Sequence, residues 1–343
     1  MTQSKKLRVN MISETTFTVR GHGVHTAFKE MTSALEERDD IDVKVNTFRS
    51  ADIVHIQTIG PYSLAALLFG RGKKVVSVHV IPDSFIGSLV GAKYWYNLSK
   101  LYLQFFYGRA DLLLAVSEVV KETLQNQLHI KKPIEVVYNT VDRRQYQAST
   151  SEKQQSRAKL NIPPDKIVIT SNGQIQPRKR FDIFIKTARE LPQYQFIWIG
   201  GIPFKKLGAG YEEMQALIDD APENVLVTGV IELEEVKKYF WASDIFFLPS
   251  NQENHPLAVI EAAACELPIV LRDIKEYDAS FGQLAMRGND DNFTQLIDKL
   301  ATDKQYYHLA QQGAREIAKR FDNVAGGQRL ASCYQAVLTQ LNK

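Results

Sequence analysis

Cysteine is nearly absent from these 343 residues: Cys265 and Cys333 stand far apart, and neither belongs to a metal-binding or redox spacing. A disulfide framework is excluded, and a reducing compartment fits. Long apolar runs are missing too. No stretch reaches the roughly 18 apolar residues that a spanning helix needs, and Met1 to Ser13 has basic residues with few apolar ones after them. Neither a transmembrane helix nor a secretion signal is expected. Charge of one sign is also lacking, since 42 Lys and Arg against 39 Asp and Glu leave only +3, too little to argue for nucleic acid. A dinucleotide fingerprint is incomplete: Gly21-His22-Gly23 would open it, but Thr26 stands where the third glycine belongs. Asp40-Ile41-Asp42 is formally a DxD motif, but it precedes a strand in a charged loop and reads as solvated.

What is present is the composition of a soluble globular protein, 44% hydrophobic and 24% charged, long enough for two domains. The charge is uneven. Residues 1–150 hold 19 Lys and Arg against 14 Asp and Glu, while the remainder holds 23 against 25. A net +5 on the first half is compatible with an anionic surface such as a membrane leaflet.

Short apolar runs alternate with helix-like stretches throughout. Leu7–Ile12, Asp42–Thr47, Ile53–Gln57, Val75–Val80 and Leu112–Val116 lie in the first half, and Ile167–Ser171, Gln195–Gly200, Val225–Gly229, Ile245–Leu248 and Pro268–Leu271 in the second. Strand followed by helix means parallel sheet, so the expected class is α/β, two doubly wound parallel-sheet domains facing a cleft. The polar stretch from Asn139 to Lys166, with Pro163-Pro164, marks the boundary, giving domains 1–150 and 151–320. Ligands of such sheets bind outside the carboxyl ends of the strands.

Four constellations lie at or near such ends. In residues 249–270, Pro256 suits a first helical position, so that the amides of the next turn, at Leu257 and Ala258, would face a phosphate with the positive end of the helix dipole. Glu253 in the preceding loop suits sugar hydroxyls, and Glu261, one and a half turns in, suits a ribose; the bland alternative is an amphipathic helix with two solvated acids. Gly173 opens a loop ending in Arg178-Lys179-Arg180, where a planar fork and a compact ammonium could steady a diphosphate leaving group, unless the run is only a solvated basic loop. His79 ends one strand and His55 an adjacent one, and sequence logic does not separate them; no carboxylate or cysteine lies at a metal-ligand spacing. Ser84–Ala110 has no acid, three cations and eight aromatics. A stripe of Leu98, Leu101, Tyr102 and Phe105 would pack on the sheet, leaving Lys93, Trp95, Tyr96, Lys100 and Tyr107 to a membrane interface, or else the segment is a core helix with an aromatic shoulder.

Together these residues resemble the retaining glycosyltransferases of family 4, with their two-domain GT-B fold, and the likeness covers nearly the whole chain in order. Gly21–Gly23 is similar to the family's glycine loop, Ala110 to Glu118 to its strand ending in serine, and Val137 to Asp142 to its Asn-x-Val-Asp segment. Gly173 to Lys179 has the spacing of its phosphate loop, and Glu253 to Glu261 is its E-x7-E signature. Three positions depart from the pattern: Gln174 replaces a common arginine, Arg180 the glycine after the lysine, and Glu266 the glycine after Cys265.

The resemblance implies transfer of a hexose with retention, from a UDP-sugar that is substrate rather than cofactor, without a metal. Gly21, Gly23, Gly173 and the 256–258 turn would belong to the donor site, Arg178 and Lys179 would hold the diphosphate, Glu261 the ribose and Glu253 the sugar hydroxyls, while His79 would contact the transferred sugar near the reacting carbon. It also implies a last helix, 321–343, returning to the first domain. Within the family the chain looks most like the bacterial synthases that add galactose or glucose to glucosyl-diacylglycerol, working at the cytoplasmic leaflet without spanning it. A transferase building capsular or cell-wall polysaccharide on another acceptor, or a binding protein that has lost turnover, are the competing expectations. Linkage position and oligomeric state are not legible.

Overall fold

The computed structural model describes residues 6–17, 23–86, 91–202 and 210–339. It divides into two compact units, one formed by Met1–Asp83, Lys93–Asp142 and Phe321–Lys343, the other by Ser84–Ala92 and Arg143–Arg320.

The first unit is built on strands β1 (Leu7–Ile12), β2 (Ile41–Val45), β3 (Ile53–Ile56), β4 (Lys73–Val78), β5 (Leu112–Ala115) and β6 (Ile134–Val136), all parallel, in the order β2-β1-β3-β4-β5-β6. Helices α1 (Gly23–Glu36), α2 (Pro61–Phe69), α3 (Tyr96–Tyr107) and α4 (Glu118–Asn126) connect them. Central strands such as Leu-Leu-Leu-Ala of β5 are buried throughout, as a parallel sheet covered on both faces requires. The helices start where the local chemistry allows. Pro61 occupies the first turn of α2, and the Ser117 hydroxyl accepts from the Val120 amide to cap α4.

In the second unit α5 (Thr150–Lys159) opens on a capping box of Ser149 and Glu152. The sheet comprises β7 (Val168–Asn172), β8 (Gln195–Ile199), β9 (Val225–Val227), β10 (Ile245–Leu248), β11 (Ile269–Arg272) and β12 (Met286–Gly288), parallel and ordered β12-β11-β10-β7-β8-β9. Between and beyond them run α6 (Phe181–Glu190), α7 (Tyr211–Asp219), α8 (Leu233–Ala242), α9 (Leu257–Ala264), α10 (Phe293–Thr302) and α11 (Lys304–Arg320). Strand order reverses between β7 and β10, so the loops leaving those two strands flank the crevice where doubly wound sheets take ligands. The core on one face is aromatic: Phe184 meets Phe196 and Trp198 edge-on, with ring centres 5.4 and 5.1 Å away.

The last helix, α12 (Asn323–Thr339), packs on α1 within the first unit. Its Gly326-Gly327 pair permits the approach: a Cβ on Gly327 would lie 2.7 Å from the Ala34 carbonyl oxygen, and one on Gly326 2.5 Å from the Thr140 hydroxyl. The buried Glu30 carboxylate accepts from the Asp142 amide at 2.9 Å and from Asn323 Nδ2 at 3.1 Å, joining α1 to both segments.

The sequence places ten strands and the structure has all ten, adding the edge strands β6 and β12. The face of α3 is reversed. Leu103, Phe106 and Tyr107 are buried, whereas of the expected stripe Leu98, Leu101 and Phe105 are 69, 62 and 42% exposed and Tyr102 is half-buried; Tyr94, just before the helix, is 96% exposed. Tyr107, expected at a membrane interface, is instead fully buried, its hydroxyl donating to the Val80 carbonyl at 2.6 Å. The physical reason is that this helix is apolar on two sides, and the sheet covers the side that carries Leu103, Phe106 and Tyr107.

Candidate functional site

The loop after β7 begins at Gly173, with φ +149°, a conformation that favours glycine. Its carbonyl accepts from Trp198 Nε1 at 2.9 Å, and Gly200 presses so close that a Cβ there would stand 2.2 Å from the same oxygen. The chain then runs through a short turn, Pro177–Lys179, into α6. The loop after β10 is stapled to it: the Asn251 amide donates to the Arg178 carbonyl at 3.0 Å, and Arg178 Nη1 donates to the Gln252 carbonyl at 3.1 Å.

That stapling brings buried charges together. The Lys179 ammonium donates to Glu253 Oε1, and Arg178 Nη1 lies 3.7 Å from Glu253 Oε2. Lys179 and Glu253 are both buried. Burial works to raise the carboxyl's pKa, but the Lys179 ammonium and then the Arg178 guanidinium outweigh it, so Glu253 is held below its ordinary value and remains charged. Glu261, buried on α9, accepts from Asn172 Nδ2 at the end of β7, at 3.3 Å.

Pro256 is the residue flanking α9, with ψ 116°, one position before the helical turn in which the sequence reading placed it; the helix opens at Leu257 and has no side-chain cap. The proline's extended backbone ends the loop, so the reorientation falls on Leu257. The first-turn amides of α9, unsatisfied by any cap side chain, keep the expected potential for an anion.

Two of the departures from the family pattern share one geometry. Arg180 has φ +55° and Glu266 φ +62°, both left-handed, which is why glycine suits those positions. Their side chains are engaged elsewhere. Arg180 donates to Asp182 and, at 3.0 Å, to Asp290, while Glu266 accepts from Arg315 at 2.8 Å. Gln174 accepts from Gln176 Nε2 at 3.1 Å. Arg180 therefore stands apart from the Lys179–Glu253 pair.

In the first unit the structure separates the two histidines. His55 is wholly buried, with Nδ1 2.6 Å from the Tyr334 hydroxyl and Nε2 2.8 Å from Ser77 Oγ, and burial depresses its pKa to about 3. It is a core histidine. His79, just beyond β4 and half-buried, has Nε2 2.9 Å from Gln57 Oε1, and burial lowers its pKa to about 4. An amide oxygen only accepts, so Nε2 carries the proton of a neutral ring. Gln57 and Tyr334 were missed by sequence reasoning, and Tyr334, 279 positions from its partner, leaves no local signal.

Gly21 lies outside the described residues. Gly23 begins α1, with open space where a Cβ would project. Lys93 is exposed and Trp95 half-buried, as are Tyr96, whose hydroxyl donates to Asp83 at 3.0 Å, and Lys100. Asp40 and Asp42 are solvated and pair with Arg38 and Lys44.

A family model described as glycosyl transferases group 1 matches residues 152–317, and one described as glycosyltransferase family 4 matches residues 23–145. The alpha-galactosylglucosyldiacylglycerol synthase of Streptococcus pneumoniae is 33% identical over 280 residues, covering 80% of this chain and 75% of that one. The processive diacylglycerol alpha-glucosyltransferase of Acholeplasma laidlawii is 26% identical over 341 residues, 97% of this chain and 99% of the other. Among solved structures, Anabaena HepE in complex with UDP and glucose superposes with a TM-score of 0.76 at 17% identity, over 96% of this chain and 99% of that one.

Proposed function

The chain belongs to glycosyltransferase family 4, with the GT-B fold, and from that premise we propose that it moves a hexose, galactose or glucose, from a UDP-sugar to glucosyl-diacylglycerol, forming a diglycosyl-diacylglycerol. The observation that carries this reading is the buried Lys179–Glu253 pair, backed by Arg178, at the reversal point of the second sheet. A ligand with its own phosphate charge and its own hydroxyls is the kind that can replace both halves of such a pair.

In this reading the second unit holds the donor and the first the acceptor. Lys179, Arg178 and the α9 amides at Leu257 and Ala258 take the diphosphate with the backbone at Gly173, and Gly21 and Gly23 are assigned to the donor as well. Glu261 takes the ribose and Glu253 the sugar hydroxyls. The bond from the anomeric carbon to the β-phosphate oxygen breaks while one to the acceptor oxygen forms on the same face, so configuration is retained. The acceptor proton passes to the departing phosphate. His79, neutral at pH 7, is assigned to the transferred sugar near the reacting carbon. No step is routed through a metal.

The lipid acceptor is supported by the diacylglycerol enzymes among the relatives and by the face of α3. Among the described residues no helix is long and apolar enough to cross a membrane. Tyr94, Leu98, Leu101 and Phe105 nevertheless form an exposed stripe beside Lys93 and Arg109, whose guanidinium sits 3.4 Å over the Phe105 ring. Such a face suits peripheral binding at the anionic cytoplasmic leaflet, with Lys93, Trp95, Tyr96 and Lys100 at its margin.

The test is a product assay with UDP-galactose and UDP-glucose in separate tubes, on anionic liposomes with and without glucosyl-diacylglycerol, read by chromatography and mass spectrometry. A dihexosyl lipid is expected. Donor hydrolysis without lipid product would move the acceptor to a polysaccharide precursor, and no turnover at all would leave a binding protein. Leu98→Glu with Leu101→Glu should weaken liposome binding about tenfold or more while donor hydrolysis is kept.

A further inference from the structure

Tyr277 is among the largest fully buried side chains, yet among the described residues its hydroxyl has no hydrogen-bond partner. A phenylalanine would fill the same space without burying an unsatisfied polar group. Its place is next to the site. It ends the turn Lys275–Tyr277 that follows β11, and β11 pairs with β10, the strand whose loop carries Glu253. The two strand ends are tied by Arg272 Nε, which donates to the Pro249 carbonyl at 2.7 Å. The Tyr277 ring packs on Phe281, 5.5 Å between centres, and Phe281 stacks on His255 at 5.4 Å and 13°, two residues beyond Glu253. Burial first, and then the charge of Glu253, press the phenol to stay protonated, which keeps it a donor.

We propose that Tyr277 is a positioning residue for Glu253: when the donor diphosphate draws the Lys179 ammonium away, the Tyr277 hydroxyl donates to the carboxylate left behind and holds it on the hexose hydroxyls. This rests on the donor-site reading above. It gives a role to a buried hydroxyl that the neighbouring side chains leave without a partner.

The test is Tyr277→Phe, followed by thermal unfolding, UDP affinity by calorimetry, and kcat and KM for UDP-hexose turnover. The free protein should melt at the wild-type temperature or above it, while UDP, whose diphosphate already draws Lys179 from Glu253, should bind several-fold more weakly. The kcat should fall about tenfold or more, as for a lost hydrogen bond to a charged group. In a Glu253→Gln background the same change should have little further effect, because the two residues act as one unit. A kcat within twofold of wild type, a melting temperature below wild type, or full additivity with Glu253→Gln would each overturn the proposal. If wild type neither binds UDP nor turns over UDP-hexose, the donor-site reading itself fails and this inference with it; an active wild type matched by Tyr277→Phe sinks the inference alone.

Discussion

At the carboxyl ends of the first sheet stand His55, Gln57, Ser77 and His79, joined by neutral hydrogen bonds, whereas those of the second bring an ammonium, a guanidinium and a carboxylate together around Lys179 and Glu253. Both sheets have six parallel strands, so backbone and helix dipoles do not make the difference. The side chains at the strand ends do. A neutral end can meet a hydroxyl without charging its surroundings, and a charged end suits the proposed donor, which brings phosphate of its own. The fold is shared, and the chemistry is set by a few residues at loop entrances.

The largest test of this contrast is Glu253→Ala. It leaves the Lys179 ammonium buried without its partner, so unfolding free energy should fall by about 3 kcal/mol or more, and donor turnover by at least about 100-fold. The corresponding cut in the first sheet, Ser77→Ala, removes a neutral bond from His55 and should cost only about 1 kcal/mol. Urea titrations giving equal losses would break the comparison.

Glu30 sharpens it, being a buried acid in the first unit. Burial raises its pKa from 4.5 to about 7, with the Asp142 amide opposing. The folded chain therefore holds this proton between pH 4.5 and 7 where the unfolded chain releases it, so Glu30's contribution to stability falls as pH rises through that window, by about 3 kcal/mol in all. Glu30→Gln should remove that slope. His55 acts in the opposite sense: with its pKa depressed from 6.5 to about 3, its contribution is complete above pH 6.5 and declines as pH falls toward 3. Unfolding measured at pH 5 and pH 8 in wild type and Glu30→Gln would separate the two.

The smallest effect concerns backbone. Glu266→Gly relieves a left-handed residue and loses only an exposed pair with Arg315, so stability should rise by about 0.5 kcal/mol. Arg180→Gly should not gain in the same way, because Arg180 is forked onto Asp182 and Asp290. Equal gains by differential scanning calorimetry would show those ion pairs to be idle.

Much of the fold was legible in the sequence because parallel strands, buried on both faces, write themselves as apolar runs. The two overlooked strands are three-residue edges: Ile134–Val136 has an exposed glutamate at its centre, and Met286–Gly288 contains arginine and glycine, so neither reads as such a run. The α3 stripe was assigned to the wrong face because Tyr96–Tyr107 has apolar residues on two sides, and only the sheet beneath it decides which is covered. At the site, the residue types of the 173–180 and 249–261 loops were readable, but the joining of Lys179 to Glu253 depends on two loops being stapled 74 positions apart. No local pattern records that.

The close seating of α12 on α1 has a consequence for the order in which the chain can be made. Glu30 and Asn323 are 293 residues apart, as are, nearly, His55 and Tyr334 at 279. During synthesis from the amino terminus, the segment Arg143–Arg320 emerges whole before the residues that complete the first unit exist. The half of the protein that begins first must therefore finish last. A nascent chain released before Asn323 would carry a completed second sheet and leave the face of α1 that bears Glu30 and Ala34 uncovered, a form that quality-control proteases and chaperones would meet as an unfinished protein.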